Sequence, residues 1–205
     1  MENEIQEKLN TYKYIIGIDE VGRGPIAGPV TVCAFAIERD FINDVHCELS
    51  GITDSKKLSE KKRNFFSKKI KSLVLEKKVL IAISSVSAKD IDSYGIVASL
   101  RAATKSSLKK IIESAQDSFV YLDGSLFAPK EYDQETIVKG DIKNWLIGAA
   151  SVVAKVTRDN LMVGYAEKYP EYNFQQHKGY GTKAHFQAIR ENGMIDLHRK
   201  TWINI

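Results

Sequence analysis

Four carboxylates stand out by position: Asp19, Glu20, Asp123 and Asp141. Each closes a short apolar run of strand-like character. Each also has a glycine within two residues: Gly17 for Asp19, Gly22 for Glu20, Gly124 for Asp123 and Gly140 for Asp141. In open α/β sheets, sites gather at strand ends. Four acids converging there would repel one another strongly unless cations sat between them. Oxygen ligands with no matching His/Cys set select Mg²⁺ or Mn²⁺. Two such ions roughly 3.5–4 Å apart make a site for phosphoryl transfer, one activating water and the other stabilising the leaving oxygen. Taken singly, each acid reads as a turn residue, and Asp123-Gly124 is common turn chemistry. The convergence of four is what points to a site. Neighbouring strand residues face opposite ways, so Asp19 and Glu20 share that site only if the strand ends, bulges or twists there.

Two further stretches could meet a ligand. Gly22-Arg23-Gly24 follows the first acid pair at once, and glycines there let backbone amides and Arg23 approach a phosphate or a sugar hydroxyl. With Gly28 the loop faintly echoes a dinucleotide fingerprint. That reading fails, because Pro25 and Pro29 lead into another strand instead of the helix that a pyrophosphate needs. His177-Lys178-Gly179-Tyr180-Gly181-Thr182 sets a cation and an aromatic between glycines, suited to a nucleotide by charge and stacking. Its plainer reading is a polar loop ahead of a helix. Charge adds to the case. Lys56 to Lys78 holds ten Lys/Arg against Glu60 and Glu76, a local charge of +8 on a chain of net +4. Basic faces broken by acidic clusters suit a polyanion held against metal ions.

The elements that must position these residues follow from pattern. Tyr14–Val21 and Val30–Ile37 are rich in β-branched and aromatic residues and predict strands, joined closely enough to run antiparallel. Phe41–Leu49 predicts a short third strand or a turn. Ser59 caps a helix bearing Phe65, Phe66, Ile70, Leu73 and Val74 on its inner face. Val79–Val86 is a strand. A helix from about Gly95 to Ala115 turns Val97, Leu100, Leu108, Ile111 and Ile112 inward. Phe119–Leu122 and Thr136–Val138 are short strands. Asn144 to about Tyr169 is the longest helical pattern, with Leu146, Ala149, Ala150, Val153, Val156 and Leu161 recurring, and Pro170 stops it. Thr182 caps a last helix, Lys183–Glu191, ended by Asn192-Gly193. The sum is an α/β fold with a mixed central sheet flanked by helices. One domain over 1–205 is expected, with about 170–205 as a C-terminal helical extension.

Composition excludes other classes. Apolar residues make up 43% and charged residues 27% of the 205, as in ordinary globular domains. No apolar run approaches the ~20 residues of a membrane span. The polar opening segment, Met1–Asn10, is no signal peptide. Cys33 and Cys47 are too few for a disulfide framework, so both are expected as thiols of a cytoplasmic protein. His46 beside Cys47 lacks the second pair that a zinc site needs.

The motifs also resemble a known family, the bacterial ribonuclease HII enzymes. Asp19-Glu20-Val21-Gly22-Arg23-Gly24-Pro25, Asp54-Ser55-Lys56-Lys57-Leu58-Ser59, Asp123-Gly124, Lys139-Gly140-Asp141, Ala149-Ala150-Ser151 with Ala154-Lys155-Val156-Thr157-Arg158-Asp159, and His177-Lys178-Gly179-Tyr180 fall in that family's order. The resemblance extends from about residue 14 to His198-Arg199. It implies a ribonuclease H-like fold. It implies cleavage of the RNA strand in RNA–DNA hybrids, and incision beside single ribonucleotides in duplex DNA, leaving 3′-hydroxyl and 5′-phosphate ends. It gives Asp19, Glu20, Asp123 and Asp141 the catalytic, metal-binding places. Gly22, Arg23 and Gly24 fall in the loop that reads the ribose 2′-hydroxyl, and Tyr180 matches the tyrosine at the RNA–DNA junction. Lys56 and Lys178 are assigned to phosphate from charge and loop position. Gly148 stands where the family usually has serine, and so does Ile142. A monomer is expected. Rival readings are a non-catalytic nucleic-acid-binding module on the same fold, which would lack one of the four acids, and a metal-dependent phosphomonoesterase, which needs no extended basic surface.

Overall fold

The computed structural model of the chain describes residues 2–204, so Met1 and Ile205, the ends of the expected 1–205 span, lie outside the described residues. In chain order, helix α1 (Glu2–Leu9) precedes strands β1 (Tyr14–Val21) and β2 (Val30–Glu38). Helices α2 (Ile42–Glu48) and α3 (Glu60–Leu75) lead to β3 (Val79–Val86). Helices α4 (Ala88–Tyr94) and α5 (Ile96–Ile111) lead to β4 (Ser118–Asp123) and β5 (Asp133–Ile137). Then come α6 (Gly140–Lys143), α7 (Trp145–Lys168), α8 (Phe174–His177) and α9 (Lys183–Asn192). Among the described residues the strands form one mixed sheet in the order β3-β2-β1-β4-β5. The pairs β1–β2 and β2–β3 are antiparallel, whereas β1–β4 and β4–β5 are parallel. None of the described helices is long and apolar enough to cross a membrane.

β1 is central and covered on both faces, which explains why its apolar run barely alternates. Ile15, with Cys33, Phe35, Ile37 and Tyr121, packs under α3 and α7. Ile16 and Ile18, with Val32, Ala34, Val120 and Leu122, pack under α5. A third apolar cluster joins Ile26 and Ala27 to Met162, Tyr172, Phe174 and Ile189, so α8 and α9 close over the β1–β2 connection. Gly17 sets how near α7 can come. A Cβ built there would meet the backbone of Leu146 at 2.3 Å and the amide nitrogen of Ile147 at 2.6 Å.

Several expectations need correction. Phe41–Leu49 is neither strand nor turn: Arg39–Phe41 is a 3-10 turn and α2 follows. Ile42, Val45 and Leu49 all point into the core, a helical spacing that the short apolar run concealed. The segment before Gly95 holds a further helix, α4, whose cap Ser87 accepts from the amide of Asp90. Gly95, at φ +80°, separates it from α5. Phe65 (59% exposed), Val74, Val97 and Leu161 face outward, not inward. Ser59, Asn144 and Thr182 do cap α3, α7 and α9 through their side chains. His46 stacks on Trp145, with ring centroids 5.0 Å apart, and both cysteines are free thiols.

Candidate functional site

The β1–β4 ladder ends at Ile18↔Leu122, while β1 stays paired with β2 as far as Val21↔Thr31. Past that last parallel pair the two strands part. The gap answers the question posed by neighbouring acids on opposite faces of one strand. Asp19 lies on the α7 side, where the nearby Ser151 hydroxyl, bonded to Ser55 Oγ at 2.9 Å, favours its charged form. Its Oδ1 also accepts from the amide of Glu20 at 2.7 Å. Glu20 reaches in from the α5 side, and Asp123 sits at the tip of β4. Asp19, Glu20 and Asp123 each bring one oxygen within 4.8 Å of the others.

Asp141 is placed differently. It rides on the helical turn α6, not on a strand end, and its carboxyl lies outside that triple. It faces Asp54 and remains within the field of Asp123. Asp123 helps to position it, since its Oδ1 accepts from the amide of Gly140 at 2.6 Å. Gly148 on α7 makes room for this turn, because a Cβ there would press on the Asp141 carbonyl at 3.2 Å. Ile142, the other departure from the family pattern, is exposed.

The electrostatics are those of a site suited to cations. Burial, then repulsion from Glu20, pushes the Asp19 carboxyl well above its ordinary range. Burial, then Asp123, raises Glu20, with Arg23 and Lys56 opposing. Burial, then Asp123 and Asp54, raises Asp141. Glu20 Oε2 is buried without a hydrogen-bond partner. Hard oxygens, mutual repulsion and an unsatisfied buried carboxylate oxygen together fit a divalent cation such as Mg²⁺ or Mn²⁺.

The glycine loop is held from behind by two arginines that are fully buried. From α7, Arg158 donates to the carbonyls of Pro29 (2.9 Å), Ala27 (3.1 Å) and Lys178 (2.9 Å). Arg199 donates to those of Gly28, Arg23 and Gly22. Neither has a carboxylate within ion-pair distance among the described residues; carbonyls take the hydrogen bonds of both guanidinium groups, and that of Arg199 also lies over the Trp202 ring, 4.8 Å from its centroid. Burial and the proximity of Arg158 bring Arg199 down to about 10. With its carbonyls turned inward, the loop offers its other face to a ligand. Gly22 is required at this spot: its φ is +88°, and a Cβ would sit 2.3 Å from Arg158 Nε. Sequence reasoning gave these arginines no role. Arginine is so often exposed that only the Val156-Thr157-Arg158-Asp159 and His198-Arg199 motifs marked them.

The second glycine stretch docks on the first. Gly179 accepts from the amides of Ile26 and Ala27, and the Tyr180 ring lies 3.8 Å from where a Gly24 side chain would begin. Arg23 extends its Nη1 to Ser125 Oγ at 2.9 Å and lies 3.7 Å from Glu20. Lys56 is exposed and acts electrostatically on both Glu20 and Asp141. The Lys178 ammonium turns back to the Gln175 carbonyl.

Three histidines brace the Tyr180 segment. Each ring nitrogen has a defined job when all three are neutral. The amide of Gly179 donates to His177 Nδ1, leaving Nε2–H for the Tyr172 carbonyl. The amide of Ile195 donates to His198 Nδ1, leaving Nε2–H for His185 Nε2 at 3.2 Å. His185 Nδ1–H then serves the Tyr180 carbonyl at 2.9 Å. Burial lowers all three, His185 to about 4. A base with a depressed folded pKa binds fewer protons folded than unfolded, so its contribution to stability is lost as pH falls from about 6.5 towards 4. Melting curves between pH 7 and 4 are expected to show this decline, and His185→Asn is expected to flatten it. An equally steep decline in the variant would remove His185 from the account.

Known proteins resemble this chain in sequence and in fold. The ribonuclease HII family model matches residues 16–205. A ribonuclease HII of Bacillus thuringiensis (strain Al Hakam) is 42% identical over 204 residues, covering 100% of this chain and 74% of its own length. Two solved structures are similar. One is the ribonuclease H2 of Pyrococcus horikoshii OT3 (TM-score 0.71, 24% identity, 92% of this chain and 93% of that one). The other is the RNase HII of Archaeoglobus fulgidus solved as a PCNA:RNase HII complex (0.73, 23%, 93% and 96%). At those identities they speak for the fold, which is ribonuclease H-like. By the family match and by a relative that covers all of it, the chain belongs to the ribonuclease HII family.

Proposed function

We propose that the protein is an endoribonuclease. It cuts the RNA strand of RNA–DNA hybrids and incises duplex DNA at single embedded ribonucleotides, leaving 3′-hydroxyl and 5′-phosphate ends. The observation that carries this reading is the meeting of Asp19, Glu20 and Asp123 at the parting of β1 and β4, beside a loop braced from behind. Asp141, one turn away, completes the ligand set for two ions of Mg²⁺ or Mn²⁺. Such ions supply charge stabilisation for a phosphodiester transition state and a more acidic attacking water.

The rest of the chemistry belongs to the chain. Gly22, Arg23 and Gly24 present the outer face of a rigid loop to the ribose, where a 2′-hydroxyl marks RNA. Tyr180 stands beside Gly24 as a platform for the sugar or base at the junction. Lys56 and Lys178 meet phosphates, Lys178 by exchanging its Gln175 contact. We infer a monomer acting in the cytoplasm as one catalytic domain, the segment after about residue 170 serving to lock the recognition loop.

A labelled DNA duplex with one ribonucleotide tests this directly. Cutting is expected with Mg²⁺ or Mn²⁺ and not with chelator, and an all-DNA duplex should stay intact. Tyr180→Ala is expected to slow cutting at the junction by roughly 10-fold or more, in line with the loss of about 1–3 kcal/mol of stacking, with a smaller effect on all-DNA duplex binding. Equal cutting of the all-DNA duplex by the native protein would falsify 2′-hydroxyl recognition.

A further inference from the structure

Arg23, 3.7 Å from Glu20, also borders a groove that the site described above does not use. Its Nη1 bond to Ser125 Oγ ties the recognition loop to the β4–β5 connection. From there Arg23, Val97, Arg101, Ser125 and Phe127 line a hollow between that connection and α5. A second hollow shares Arg101 and Phe127 and runs on past Lys105, Lys130 and Thr136. Val97, Arg101 and Lys105 follow one another at intervals of four on α5, so they share a face over a rise of about 12 Å. Arg101, Lys105 and Lys130 are exposed and form no ion pair among the described residues. Phe127 stands between them, 56% exposed.

The groove is preformed. Gln134 accepts from the Ala128 amide at 2.8 Å and donates to the Ala128 carbonyl at 3.2 Å. Thr136 Oγ1 donates to the Leu126 carbonyl at 3.2 Å. Both ends of the segment that carries Phe127 are therefore fastened to β5. Gln134 and Thr136 line the groove side of that strand. Glu135 between them faces the other way by strand alternation. Glu131, next to Lys130, is the acid nearest in sequence to the groove's cations.

We propose that this groove holds one sugar-phosphate backbone of the substrate duplex beyond the cleavage point, with Arg101, Lys105 and Lys130 against phosphates and Phe127 against a sugar or base. The inference rests on the nucleic-acid reading of the acidic site. Two features commit it to that occupant. A row of unpaired cations around an exposed aromatic complements a polyanion with stackable faces. The groove also begins at Arg23, the residue assigned to the ribose. One strand carries a phosphate about every 3.4 Å of rise, so the stripe on α5 spans three or four of them.

The test is equilibrium binding of the full chain to a long ribonucleotide-containing duplex over a range of salt, with chelator present so that nothing is cut. The triple variant Arg101→Ala/Lys105→Ala/Lys130→Ala is expected to bind about 10-fold more weakly. Its slope of log K against log[salt] should be shallower by about 2–3, at roughly 0.9 per phosphate contact. On duplexes truncated to one side or the other of the ribonucleotide, the defect should vanish for one truncation only. Lys105→Glu, a single exposed change, should weaken binding in the same direction and guards against misfolding of the triple variant. An unchanged slope and affinity in both variants overturns the groove, and so does a defect that persists on both truncated duplexes. Cutting by the native protein reports separately on the nuclease reading, so the two can fail independently.

Discussion

Asp19→Asn is expected to reduce cleavage by roughly 10³-fold or more, as single losses from a concerted catalytic group do, and at the same time to stabilise the metal-free protein. Both effects have one cause. Asp19 is buried next to Glu20, and burial with that repulsion raises its folded pKa. An acid with a raised folded pKa contributes stability that is fully present below its unfolded value near 4 and is lost as pH rises through the folded value. At neutral pH, above the unfolded value, burial of this acid therefore costs the native protein stability, and the neutral amide removes that cost. Divalent cations act in the opposite sense: any ion that binds only the folded form stabilises it, by about 2.7 kcal/mol at 100 times its dissociation constant. Melting curves with and without Mg²⁺ should show a clear rise for the native protein and little for Asp19→Asn. Duplex binding should survive, because the recognition loop is braced by arginines and not by Asp19. Native-like turnover in the variant, or an equal Mg²⁺ shift in both proteins, would remove Asp19 from the ion site.

Gly17→Ala is expected to cost about 3 kcal/mol or more, a large fraction of an ordinary domain's stability. The added methyl would overlap the backbone of Leu146 and Ile147, not a side chain able to swing aside. Relief requires moving the start of α7 away from β1. That helix carries Ser151 towards Asp19, and its first turn is fixed by the Asn144 side chain, which accepts from the Leu146 amide at 2.9 Å. Any folded fraction should consequently be less active than its concentration predicts. Chemical denaturation and activity per folded molecule measure the two parts. A variant with native stability would mean that α7 and β1 tolerate greater separation than their contact implies.

Legibility in the sequence followed the physics of each residue. Asp19, Glu20 and Asp123 were readable because a carboxylate at the end of an apolar strand, beside glycine, has few structural reasons to be there. The mixed sheet was readable because its strands are β-branched and its helices begin on Ser, Asn and Thr caps. Asp141 was half readable: its glycine and its neighbourhood were right, but the helical turn that carries it has no apolar signature. The short helix after Phe41 was missed because three inward residues at helical spacing look the same in a nine-residue run as a broken strand. The inward assignment of Phe65 and Val97 failed because periodicity gives a stripe and not its edges. Arg158 and Arg199 stood in motifs but their role had no local signal, since their partners are backbone carbonyls set by tertiary packing.

Those partners lie far away along the chain. Arg199 takes carbonyls from residues 171 to 177 positions before it, and Arg158 reaches back 129 to 131 positions to Pro29 and Ala27. On a ribosome, the recognition loop is made long before the groups that fix its shape. Until Arg199 emerges, the carbonyls of Gly22, Arg23 and Gly28 lack the donor that fixes them. A nascent chain can form the β1–β2 hairpin and still have no ordered surface for a ribose. The capacity to recognise substrate thus arrives as a late event of synthesis, and a message that stops before codon 199 yields a chain that holds the acids but not the loop that directs them.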